Sequence, residues 1–89
     1  MSNIEITQAG STQCLRLNRP EKKNALTGAM YEALADALEA GDKDPDVAVH
    51  VLLGSGGVFT AGNDIGEFLS SSRGDQAVLK AVLRFVRLL

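Results

Sequence analysis

Cysteine and histidine are nearly missing from this chain: Cys14 and His50 are single occurrences in 89 residues. One thiol allows no internal disulfide, and a cysteine-based metal site is excluded. His50 has no carboxylate or cysteine close to it in sequence, which argues against a metal ligand. Both read as structural residues, Cys14 as a small core residue in a strand and His50 as part of the strand run Ala48–Leu53. An excess of charge of one sign is lacking too. The net charge is −2 with scattered lysines and arginines, and Lys22-Lys23 is too short a run to hold a duplex or a membrane. No apolar run is long enough to span a bilayer. Met1-Ser2-Asn3-Ile4-Glu5 has neither the basic nor the apolar region of a signal peptide, nor the arginine-rich character of a transit peptide. A reducing, cytoplasmic setting follows, with no nucleic-acid partner and no membrane. Nucleotide loops are absent as well. Gly54-Ser55-Gly56-Gly57-Val58-Phe59 puts Phe59 where G-x-G-x-x-G needs its last glycine, and the Lys-Ser/Thr of a P-loop is missing.

What is present is one small α/β domain at most, in the size range where a core is marginal. Ile4, Ile6 and then Leu15, Leu17 alternate with polar residues, as in half-buried strands, and Gly10-Ser11 suits a two-residue hairpin turn. Thr27 can cap a helix with Met30, Leu34, Ala37 and Leu38 on one face, stopped by Gly41 and Pro45. Val47–Leu53 is a short apolar run, consistent with a strand covered on both faces. The pattern predicts strands at about 4–9, 12–18 and 47–53 and helices at about 28–41, 65–69 and 76–89. Asp75 can cap the last helix, whose apolar side carries Val78, Leu79, Val82, Leu83 and Val86, with Arg84 and Arg87 on a solvated face. There is no internal repeat.

The segment Phe59-Thr60-Ala61-Gly62-Asn63-Asp64-Ile65 lies between the third strand and a helix start. Ala61 and Gly62 are small enough to let a ligand approach the backbone. Asp64 is placed to cap the following helix, which leaves N–H groups near Asn63 free for a ligand oxygen. Such a donor is half of an oxyanion hole, worth roughly 3–4 kcal/mol to a reaction that builds charge on that oxygen.

Upstream stands Leu17-Asn18-Arg19-Pro20, then Asn24-Ala25-Leu26. That order, followed by a helix, a strand and Phe-x-Ala-Gly-x-Asp-Ile, resembles the opening of the crotonase superfamily, the enoyl-CoA hydratases, isomerases and related acyl-CoA enzymes. The Lys-Lys-Asn-Ala segment, Met30-Tyr31 and the Gly-Asn-Asp form of the loop look most like the peroxisomal-type 3-enoyl to 2-enoyl-CoA isomerases. The resemblance implies the N-terminal part of a crotonase-like ββα spiral, with residues 1–89 a fragment of a single domain. The last helical pattern runs to Leu89 without a stop signal, and its apolar stripe is expected to lack a partner.

The resemblance also implies the site. The backbone N–H of Asn63 becomes one oxyanion donor for the acyl-CoA thioester. Lys22, Lys23 and Ala25 run beside the adenine and phosphates of CoA, and Ala61, Gly62, Asp64 and Ile65 complete the groove. Asp64 serves the loop as a cap, and Glu67 reads as a solvated helix residue. The second donor and the proton-moving glutamates lie further along in such enzymes. No metal or redox cofactor is implied, since CoA is part of the substrate. A homo-oligomer of the trimer or hexamer-of-trimers type is implied as partner. Two alternatives stay open: a non-catalytic acyl-CoA-binding or assembly module on the same fold, and a small α/β interaction domain with a fortuitous motif.

Overall fold

The computed structural model describes residues 3–62 and 77–89. Ile4–Ala9 (β1) and Thr12–Leu17 (β2) form an antiparallel hairpin with Ala9 opposite Thr12. Its turn is Gly10-Ser11, with a φ of +59° at Gly10, which a tight hairpin asks of its first central residue. Thr27 caps the helix Gly28–Asp42 (α1), its hydroxyl accepting the Met30 N–H at 3.2 Å. Met30, Leu34, Ala37 and Leu38 then share a buried face over Ile4, Leu15 and Leu17. The helix carries the chain back to Val49–Gly54 (β3), which pairs parallel to β2 with Thr12 opposite Val49. The sheet order is β1-β2-β3, so β2–α1–β3 is the strand–helix–strand crossover that parallel neighbours require.

A second helix, Ala77–Leu88 (α2), lies against α1. Ala81 is buried, Phe85 and Leu88 pack on the core, and the Phe85 and Tyr31 rings meet at 5.6 Å and 60°. No helix among the described residues is long and apolar enough to cross a membrane.

Several expectations change. The third strand starts at Val49 rather than 47 and is not covered on both faces: Val49 is 50% and Leu53 42% exposed. Register explains this, because alternation puts Leu52 under the helices and Val49, Val51 and Leu53 on the opposite face of a strand that is at the sheet edge among the described residues. Cys14 shares that open face and is only half-buried, not a core residue. Gly41 does not stop α1. It is buried inside the helix, where a Cβ would collide with the His50 ring. His50 does have a carboxylate partner, Asp42, with Nε2 to Oδ1 at 3.2 Å. The apolar stripe of α2 is not wholly unpartnered, since the Ala81–Phe85–Leu88 side packs on the core while Leu79, Leu83 and Val86 stay exposed. Arg84 is no solvated bystander. Its guanidinium meets Glu32, Asp36 and Glu39 at 3.1, 2.8 and 2.9 Å. The expected helix at 65–69 and the Asp75 cap lie outside the described residues.

Candidate functional site

The loop after β2 is shaped by Pro20, which opens a single 3-10 turn over Pro20–Lys22. Lys23 and Asn24 follow with φ of +52° and +58°. Two successive left-handed residues cost roughly 1–2 kcal/mol each in a chain without glycine there, although asparagine tolerates this region well. Hydrogen bonds around Arg19 hold them. The Arg19 N–H donates to Asn24 Oδ1 at 2.8 Å, the Asn24 N–H donates back to the Arg19 carbonyl at 2.9 Å, and Arg19 Nη1 donates to the Ala25 carbonyl at 3.0 Å. The result is a closed ring with Lys22 and Lys23 exposed at its tip.

A second loop leaves the end of β3. At Gly54 a Cβ would collide with the Val58 carbonyl oxygen and sit 2.5 Å from Phe59 Cα, so only glycine lets the loop fold back on the strand. The chain then reaches Gly62, whose φ of +92° suits glycine alone. Its N–H donates to Thr60 Oγ1 at 3.0 Å.

The two loops are joined along a seam. The Ala61 N–H donates to the Lys23 carbonyl at 2.9 Å, and the Leu26 N–H donates to the Gly62 carbonyl at 2.7 Å. Thr60 Oγ1 donates to the Asn24 carbonyl at 2.7 Å. Asn24 Nδ2 donates to the carbonyls of Ser55 and Val58 at 2.8 and 2.7 Å. Lys22, Lys23 and Ala25 are thereby brought beside Ala61 and Gly62 at one end of the sheet. Asn63, Asp64, Ile65 and Glu67 lie outside the described residues. Beneath the seam is an apolar cavity of about 370 Å³, with Leu26, Leu52, Phe59 and Gly62 in its wall and Tyr31 and Phe85 across from them. Burial pushes the Tyr31 hydroxyl above its usual pKa. Among the described residues no cluster of three or more His, Cys, Asp or Glu side chains forms.

The sequence profile of enoyl-CoA hydratase/isomerase matches residues 7–86. The chain belongs to the enoyl-CoA hydratase/isomerase family. Within it, the chain is 38% identical over 71 residues to rat enoyl-CoA delta isomerase 2, a match spanning 80% of this chain and 18% of that protein. It is 37% identical over 68 residues to the hydroxycinnamoyl-CoA hydratase-lyase of Pseudomonas fluorescens, spanning 76% of this chain and 25% of the relative. A solved Magnetospirillum magneticum AMB-1 structure of the enoyl-CoA hydratase/carnithine racemase type superposes with a TM-score of 0.85. That match has 44% identity and covers 99% of this chain and 34% of the other. The chain thus spans about a fifth to a third of the length of these family members.

With the family in hand, the α/β unit with its three-stranded sheet is a piece of the crotonase fold. Reading the sequence found both loops of the seam but missed three residues that build it. Asn24 is fully buried, yet it sits in a polar stretch with no apolar neighbour before it. Arg19 reads as an ordinary surface cation, although its guanidinium is turned back on its own loop. Thr60 gives no signal of its own. The one legible hint was an asparagine in a short glycine-free loop, a residue suited to positive φ.

Proposed function

We propose that this chain carries the CoA-facing loop pair of an enoyl-CoA hydratase or enoyl-CoA isomerase. The observation that supports the reading is the seam itself. It sets the exposed lysines of the Lys22–Ala25 loop beside the glycine loop that leads into Asn63. Lysine ammonium groups at that edge suit the phosphates of CoA. The Asn63 N–H is the proposed donor to the thioester oxygen as it gains charge on the way to an enolate, a contribution of roughly 3–4 kcal/mol. A glutamate from the rest of the polypeptide moves the proton. CoA arrives with the substrate, and no metal or redox group is needed.

The test uses the full gene product. Hydration of crotonyl-CoA and double-bond migration in a 3-enoyl-CoA are followed beside calorimetric binding of CoA. Turnover of either thioester supports the proposal. Binding without turnover of either favours a non-catalytic acyl-CoA module, and absence of both turnover and binding overturns the acyl-CoA reading.

A further inference from the structure

The two loops of the site are not held together mainly by the sheet. Backbone rungs from Ala61 to Lys23 and from Leu26 to Gly62 join them, and the Asn24 side chain bridges from one loop to the other. Asn24 is fully buried and polar, and every hydrogen-bonding group it owns is engaged. Its Oδ1 takes the Arg19 N–H, its two Nδ2 hydrogens go to the Ser55 and Val58 carbonyls, and its own carbonyl takes the Thr60 hydroxyl. Its N–H closes on the Arg19 carbonyl. The partners at 19 belong to the lysine loop, and those at 55, 58 and 60 to the glycine loop. A residue needed only for a tight turn would make the local bonds to Arg19 and stop there. Both amide hydrogens instead cross to carbonyls 31 and 34 residues away. Aspartate in that place would keep the acceptor and present an oxygen to two carbonyl oxygens.

We infer that Asn24 is a positioning residue: its side-chain amide sets the spacing between the Lys22–Ala25 loop and the Ala61–Gly62 segment, and through that spacing the fit of a CoA thioester. The binding consequence rests on the function proposed above, whereas the seam geometry does not. Thr60 assists, since its hydroxyl donates to the Asn24 carbonyl and accepts the Gly62 N–H.

The experiment compares wild type with Asn24→Asp and Thr60→Val in the full gene product, by residue-resolved amide exchange and CoA calorimetry. The seam amides of Leu26 and Ala61 are expected to exchange at least about tenfold faster in each variant, with core amides such as Leu15 and Leu34 within roughly threefold of wild type. CoA affinity is expected to fall about tenfold or more in the same variants. Wild type that binds no CoA refutes the functional reading alone, and selective seam opening then still supports the spacing role. Wild type that binds CoA, with variants unchanged in affinity and seam exchange, overturns the positioning role. Uniform acceleration of core and seam in both variants overturns it too, because Asn24 would then serve folding only.

Discussion

Gly62 is constrained by its backbone angle and not by crowding. Its φ is +92°, yet among the described residues no heavy atom beyond its chain neighbours lies within 4 Å of where a Cβ would stand. A branched side chain there would fit the space and resist the conformation. Gly62→Val should therefore pull the segment out of its rung to Leu26 and lower acyl-CoA turnover by the full gene product by two orders of magnitude or more, on the order of the loss of one oxyanion donor. Asn63→Ala should stay within about tenfold of wild type, because the proposed donor is a backbone N–H that alanine retains. Steady-state kinetics on both variants decides this, and equal losses would refute a backbone donor. The sequence could show that Gly62 was a glycine in a promising loop. It could not show why, since closeness of a ligand and a positive φ ask for the same residue. The burial of Asn24 was illegible for a related reason: a polar side chain is buried only by partners distant in sequence.

Element boundaries were legible where a single local cause acts. The Gly10 turn and the Thr27 cap fall where their chemistry puts them. Faces were less legible, and α2 shows why. Ala81, Phe85 and Leu88 recur at helical spacing, and so do Leu79, Leu83 and Val86, on roughly the opposite side of the helix. Periodicity alone does not say which stripe meets α1, and the bulkier one is the one left exposed. Charge contributes to the choice, because docking the Ala81 side brings Arg84 to Glu32, Asp36 and Glu39, spaced along one side of α1. Chiefly through its hydrogen bond to Arg84, with Lys43 adding to it, the Glu39 carboxyl is held below its ordinary pKa. The sign follows from linkage. A carboxylate whose folded pKa is depressed contributes stability that is fully present above its unfolded pKa and is lost as pH falls through the folded one. Helix α2 should thus loosen from α1 on acidification below about pH 4.5. Tyr31 is the only tyrosine and the chain has no tryptophan, so tyrosine fluorescence and near-UV circular dichroism report its contact with Phe85. In Arg84→Gln that signal should already be weakened at neutral pH, with a smaller acid-induced change. An unchanged tyrosine signal across the titration in both proteins would show that the apolar side alone fixes the helix.

For the whole molecule the decisive fact is how much apolar surface stays exposed among the described residues. Val49 and Leu53 on the open sheet face and Leu79, Leu83 and Val86 on the outer side of α2 are all exposed. Among the described residues strand β3 pairs on one side only, and an unpaired edge with apolar flanks invites another chain. A helix apolar on two opposite sides is built to be buried on both. The family members matched are three to five times longer, as the chain's 18–34% share of their length requires. The 89-residue chain by itself is therefore expected to self-associate through these faces. It is also expected to turn over neither crotonyl-CoA nor a 3-enoyl-CoA. On the proposed division of labour, with only the Asn63 donor of a pair the rate should fall by about two to three orders of magnitude, and without the proposed glutamate by about two to four more. Light scattering on the purified chain, with both assays on the same sample, checks the two halves together. Replacing Leu79 and Leu83 by lysine should shift the scattering toward monomer if the outer side of α2 is a main contact, and leave it unchanged if the β3 edge dominates. A monodisperse wild-type monomer with turnover of either thioester would move the active site into these 89 residues and away from the division of labour proposed here.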